Sequence, residues 1–304
     1  MPLVIESRGV RKNFGETEAL RDVTLSVQPG ECVGLLGPNG AGKSTFIGIL
    51  YGAVRRTGGE LAVFGMDPGT QARDIKRRLG VVPQENALDE GLTVEENMLL
   101  FARFLGLPVA ARAARVAELL EYMSLGHKAG APIHALSGGM KRRLAFVRAL
   151  LGDPEMLILD EPTTGLDPAV RHVLWEKVGD IRRQGKTILV STHYMHEAEA
   201  LCDRVIVLNH GNITAAGSPK ELIREHTPGF VAIFSAAPEV SAKLAKQAGL
   251  VVDNRGEVTL VRAPALDDLV RLQRELGIEA QQLRPANLED VFLKITGEGL
   301  DQDA

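Results

Sequence analysis

The chain has 304 residues, 45% of them hydrophobic and 24% charged. That length fits one large domain or two unequal ones, and the apolar share suffices for a packed core. A net charge of −4 argues against non-specific nucleic-acid binding, which needs a basic face, and the two cysteines, Cys32 and Cys202, form no metal motif and read as buried free thiols of a reducing compartment.

The opening MPLVIESRGV does not read as a secretion signal, and no run of about 18 apolar residues suggests a membrane span. Any membrane role is expected to come through a partner. LVIESRGV, VTLSV and ECVGLLG read as strands, punctuated by Phe14-Gly15 and Pro29-Gly30. GPNGAGKST follows the third strand directly and leads into the helical run FIGILYGAV.

That stretch, Gly37 to Thr45, fits G-x-x-x-x-G-K-[ST] between a strand and a helix. Gly37, Gly40 and Gly42 let the backbone wrap a phosphate. Pro38, Asn39, Ala41 and Thr45 complete the loop, whose N–H groups and helix dipole face anionic oxygens. Lys43 is expected to reach the β- and γ-phosphates, and Ser44 to ligate Mg²⁺.

GVVPQ reads as a buried strand ending in a proline turn. From Thr93 to about Gly152 the pattern turns helical, with a capping box of Thr93 and Glu96 and a second amphipathic run, VAARAARVAELLEYM. LSGGMKRRLAFVRALLG closes this block. Ser137 caps a helix whose first turn is bare, and Lys141, Arg142 and Arg143 follow at once. Cations near a helix N-terminus oppose the dipole, so three in a row suggest an anion there in the working state. The alternative is a solvated basic face.

Strands return in MLILDEP and KTILVSTH, each followed by a helix, which implies a parallel sheet. Asp160 ends the first of these strands, where an open α/β sheet holds its ligand. It would hold Mg²⁺, with Glu161 placed to deprotonate an attacking water; the alternative is an acidic pair capping the next helix. Gln84 and His193 stand at strand ends of the same rim if the sheet order is as read. Gln84 would then ligate Mg²⁺ and His193 meet the γ-phosphate. Phe14 is either an adenine-stacking ring or a core side chain.

RVIVLNHGNI reads as a hairpin turning at Asn209–Gly211. A first domain is expected over residues 1–226, with its helical part at about 86–152, and a small α+β domain over 227–304. The second holds strand GFVAIFSA, helix EVSAKLAKQAG, a hairpin LVVDN-RG-EVTLV and a helix ALDDLVRLQRELG with Leu269, Leu272 and Leu276 on one face.

GPNGAGKST, Gln84, LSGGM, LILDEP, GLD and His193, in this order, resemble an ATP-binding-cassette (ABC) ATPase over about residues 3–225. The resemblance implies the α/β P-loop cassette fold: a mixed sheet, an antiparallel β subdomain and an inserted helical subdomain. It implies ATP and Mg²⁺, Phe14 as the adenine-stacking aromatic, and Asp167 as a residue communicating with the opposite site. It implies that Ser137, Gly138, Gly139 and Met140 close over the ATP of a second subunit, in a head-to-tail dimer. Met140 stands where the usual signature has Gln, and Phe14 where many members have Tyr.

The run GVVPQENALDEGLTVEENMLLFARFLGL, the signature and the tail NLEDVFLKITG resemble drug-resistance and nodulation-factor export ATPases. In these the permease is a separate transmembrane chain. The resemblance implies a cytoplasmic ATPase at the inner face of the membrane, with the helical block carrying motion to that permease and Gln84 at its hinge. A soluble cassette ATPase acting outside transport is the alternative. A GTPase is disfavoured because no N-K-x-D stretch occurs.

Overall fold

The computed structural model describes residues 2–235, 250–255 and 258–297. The helix expected over EVSAKLAKQAG and the turn expected at Gly256 lie outside them. The chain divides into two compact units, the first ending at Gly217 and the second starting at Ser218.

The first unit is built on a nine-stranded sheet. Its strands are β1 (Ile5–Phe14), β2 (Thr17–Val27), β3 (Cys32–Leu36), β4 (Gly58–Val63), β5 (Leu79–Val82), β6 (Met156–Asp160), β7 (Thr187–Thr192), β8 (Arg204–Asn209) and β9 (Asn212–Gly217). The order is β4-β1-β2-β9-β8-β3-β7-β6-β5. Strands β8, β3, β7, β6 and β5 run parallel, while β4, β1 and β2 pair antiparallel.

The parallel strands are apolar on both faces because both faces are covered. Every residue of β3, β6 and β7 is buried. On one face Val33, Leu35, Ile158 and Leu189 pack with Phe46, Ile47, Ile49 and Leu50 of helix α1 (Lys43–Leu50) and Ile75 of α2 (Pro68–Arg78). The hairpin β8–β9 turns on His210 and Gly211, with φ of 44° and 76°. Two successive positive φ values are the mirror-image turn that matches strand twist.

The inserted block contains α3 (Val94–Phe104), α4 (Val109–Tyr122) and α5 (Gly138–Ala149). The capping box at the head of α3 is formed on both sides: Glu96 N–H donates to Thr93 Oγ1 at 3.2 Å and Thr93 N–H to Glu96 Oε2 at 2.8 Å. Such a cap contributes about 1 kcal/mol. Two helices complete the unit, α6 (Pro168–Arg183) and α7 (Met195–Leu201).

The second unit opens with α8 (Pro219–His226), which sequence patterning assigned to the first domain. Its capping box, Ser218 with Glu221, marks the start of a new element, and the helix packs on α10 (Leu288–Thr296). Between them lies a four-stranded antiparallel sheet ordered β11-β12-β10-β13, formed by β10 (Phe230–Ser235), β11 (Val251–Arg255), β12 (Val258–Ala263) and β13 (Gln282–Pro285). Ala232, Phe234, Val261 and Ala263 meet Leu269 and Leu272 of α9 (Leu266–Leu276), with Leu276 packed against them. The leucine face read from the sequence is the buried face.

Candidate nucleotide site

Register brings the site together. In the parallel sheet Leu36 pairs with Thr192, Asp160 with Ser191 and Leu159 with Val82. Four carboxyl ends therefore stop on one line. The segments that leave them carry Gly37, Gln84, Glu161 and His193. This is the crevice where open α/β sheets place their ligands.

The phosphate loop leaves β3 tightly. A Cβ on Gly37 would sit 2.3 Å from the Leu208 carbonyl, and Gly42, at φ 106°, faces the Ala19 carbonyl with room for none. Gly42 is the N-cap of α1, and no side chain caps that helix. Its first N–H groups are thus left for an anion. Lys43 lies back along the loop, donating to the carbonyls of Gly37 at 2.8 Å and Pro38 at 3.1 Å.

Glu161 sits at the centre. Its Oε1 is 3.5 Å from Lys43 Nζ, and its Oε2 is 3.5 Å from both Gln84 Nε2 and His193 Nδ1. At 3.5 Å neither Oε2 contact is a well-formed hydrogen bond, and His193 Nδ1 has no hydrogen-bond partner among the described residues. Thr164 Oγ1 donates to Oε2 at 3.2 Å. His193, first, then the Lys43 charge hold the carboxyl below its ordinary value against the opposing effect of burial. Burial in turn lowers the Lys43 pKa, with Glu161 opposing.

The backbone of Glu161 is left-handed, at φ 46°. A bulky residue there costs about 1–3 kcal/mol and persists only where its surroundings hold it. They do so from both ends. Its N–H donates to Ser191 O at 3.0 Å and Ser191 Oγ at 3.1 Å. Its carbonyl accepts from Arg142 Nη2 at 2.9 Å. Asp160, beside it, accepts from Ser44 Oγ at 3.3 Å and from the Ser191 hydroxyl. Ser44, Asp160 and the Gln84 amide are hard oxygen donors, the kind Mg²⁺ takes.

The remaining expected residues lie outside this cluster. Ser137 and Gly138 are exposed, Gly139 and Met140 half-buried. Ser137 Oγ accepts from Met140 N–H at 3.3 Å and so caps its own helix. Among the described residues no hydrogen bond or ion pair joins Ser137–Met140 to Gly37–Thr45. Asp167 is exposed and caps α6 through Val170 N–H at 3.0 Å. Phe14 ends a strand rather than lying in a loop, and it is 51% exposed beneath Lys12. The core-side-chain alternative for it is thereby removed.

One expectation is corrected. The three cations after the signature do not point together at an anion. Lys141 pairs with Glu90 at 3.4 Å, Arg143 donates to the Met123 carbonyl at 3.1 Å, and Arg142 is buried beneath the site of its own chain. A 100° step per residue sends three successive side chains to three faces. Sequence reading took Arg142 for one of those cations, and it missed Ser191 and Thr164. The only signal for Ser191 was a hydroxyl at the end of an apolar strand.

A phosphate loop, strand-end acids and a strand-end histidine on one parallel sheet define a P-loop nucleotide-binding domain. The ABC transporter family profile matches residues 20–164. A Nod factor export ATP-binding protein I of Mesorhizobium japonicum is 42% identical over 302 residues, covering 99% of this chain and 88% of that protein. One from a Rhizobium species is 43% identical, covering 99% of both. A solved ATP-binding subunit of an ABC transporter superposes with TM-score 0.67 at 33% identity over 73% of this chain and 92% of that one. A dimeric, post-hydrolysis ATP-binding cassette bound to ADP and Pi gives TM-score 0.66 at 29% identity, over 70% and 98%. The chain belongs to the ABC transporter ATP-binding family. It is an ATP-binding protein of the ABC ATPase class.

Proposed function

We propose that the chain is the ATP-hydrolysing subunit of an export system whose transmembrane permease is a separate chain. The contacts of Glu161 with Lys43, Gln84 and His193, all at 3.5 Å, carry this reading. One carboxylate close to a lysine, an amide and an imidazole supports reading Glu161 as the base, Lys43 as the phosphate-binding cation and His193 as the γ-phosphate contact.

In this reading Phe14 stacks on adenine, residues 37–45 wrap the phosphates, and Lys43 moves from the loop carbonyls to the β- and γ-oxygens. Ser44, Asp160 and Gln84 hold Mg²⁺, which supplies charge neutralisation on the phosphates when bound. Glu161 accepts the proton of the attacking water, and His193 meets the γ-phosphate. Two copies pair so that Ser137–Met140 of each meets the other's ATP, with Asp167 at the junction. The relatives' name, Nod factor export ATP-binding protein, supports export. Among the described residues no helix is long and apolar enough to cross a membrane. In this reading contact with the inner face of the membrane runs through the permease. Phe104 and Val109, 73% and 78% exposed in the helical block, offer it an apolar surface.

The test is ATP turnover by the purified chain and by Glu161→Gln, with membrane fractionation in cells with and without the neighbouring permease. Recovery on membranes only with the permease supports the reading. A wholly soluble, ribosome-bound protein would favour the non-transport alternative.

A further inference from the structure

Arg142 is 4% exposed and lies on α5, less than two turns after the signature serine. A guanidinium has five N–H donors in a fixed fork. Its hydrogen bonds reach five different backbone carbonyls, and Nη1 also meets Asn86 Oδ1 at 3.4 Å. Nε donates to Pro162 at 2.7 Å. Nη1 donates to Pro83 at 2.5 Å and Gln84 at 3.1 Å. Nη2 donates to Asp160 at 3.0 Å and Glu161 at 2.9 Å. One side chain therefore holds the backbone on both sides of the site, at Gln84 and at the acid pair.

Arg148, two turns further along α5, continues the clamp. It donates to Ala87 O at 2.6 Å and Asn86 O at 3.0 Å while its guanidinium stacks over Phe101. The segment Pro83–Ala87 is thus tied to α5 through its carbonyls.

We propose that Arg142 is the positioning residue of the hydrolytic site, fixing the left-handed backbone of Glu161 and the Gln84 carbonyl to the signature helix. Its guanidinium holds the backbone rather than the Glu161 carboxylate. It acts by setting where the Glu161 carboxylate points. Because α5 begins at the residues assigned to the second nucleotide, a shift of that helix reaches the base of its own chain through one guanidinium. The proposal rests on Glu161 being the base.

The fork is what matters, not the charge. A lysine has three donors from a single point and cannot serve five carbonyls on two segments. Displacing a catalytic group by about 1 Å can cost about 100-fold in rate.

The experiment compares full-length Arg142→Lys, Arg142→Gln and Glu161→Gln with the parent, measuring Mg-ADP affinity by calorimetry, steady-state ATP turnover and thermal melting. For both Arg142 variants the expected result is Mg-ADP affinity within about threefold of the parent and turnover lower by about 10–100-fold. Turnover within threefold of the parent, with Glu161→Gln inactive, would overturn the proposal. So would loss of Mg-ADP binding together with the fold in both variants, since Arg142 would then be a core strut alone. Normal turnover by Glu161→Gln would remove the base assignment itself, and this proposal with it, a failure the Arg142 variants alone could not distinguish.

Discussion

Lys43 Nζ lies 3.5 Å from Glu161 Oε1, with both side chains buried. Two groups to which we assign separate tasks in hydrolysis thus pair with each other. The lysine also spends donors on the Gly37 and Pro38 carbonyls. A triphosphate offers Lys43 a stronger charge-assisted acceptor than any of these. Its binding would free the carboxylate to receive a proton. Lys43→Ala is therefore expected to weaken Mg-ATP binding at least tenfold, read by calorimetry. It should also lower the melting temperature, because a buried carboxylate loses its cation. Unchanged affinity would refute the role given to Lys43.

Glu161→Gln should act differently. The amide keeps the shape but accepts no proton. Turnover is expected to fall by about 10²–10⁴, the scale of general-base catalysis. ATP affinity should hold or rise, because Lys43 no longer has a competing carboxylate. Stopped turnover with retained binding is the signature to look for in a paired assay.

That variant also tests the dimer. Ser137 and Gly138 are exposed, and in the proposed dimer they meet the partner's ATP. Light scattering of Glu161→Gln should give one chain mass without nucleotide and twice that with Mg-ATP. A dimer already present without ATP would shift the pairing away from the nucleotide.

Much of this site was legible because its order is written along the chain. The phosphate loop, Gln84, Asp160-Glu161 and His193 each close or follow a short apolar run, and a parallel sheet with a line of strand ends gathers them. What stayed hidden lacked a local signal. Strand β4 is short and begins with two glycines, and α2 buries only Pro68 and Ile75, so neither shows a periodicity that patterning detects, although Asp67-Pro68 announces the helix. Arg142 was hidden for the opposite reason. It sits between two other cations, and arginines are mostly exposed; only the three-dimensional convergence of five carbonyls explains its burial.

The second unit has a core of its own, in which Leu272 is 1% exposed against Phe234 and Val261. Leu272→Ala should destabilise that unit by about 2–5 kcal/mol. Since none of the nucleotide residues belongs to it, calorimetric ADP affinity should stay within about threefold of the parent. Urea unfolding should then resolve an earlier transition for this unit. A matching loss of ADP binding would show that the first unit depends on it.

Asp67 gives a pH prediction with a definite sign. It caps α2, its Oδ1 accepting from Gly69 N–H at 2.7 Å, and it takes a bidentate pair from Arg56 at 2.7 and 2.8 Å. The Arg56 hydrogen bonds first, then the Gly69 N–H, draw its pKa from 3.8 down to about 2. A depressed pKa in the folded state means stability that is complete above the unfolded value of 3.8 and is lost as pH falls through about 2. Asn keeps the cap but cannot ionise, so Asp67→Asn isolates the charge. Because the pair is only partly buried and still meets solvent, its contribution should be about 1 kcal/mol or less and shrink with salt. The stability difference between parent and Asp67→Asn, from urea titrations, should stay flat from pH 7 to about 5 and narrow below pH 3.8. A difference that widened on acidification would mean that Asp67 is not the group paired with Arg56.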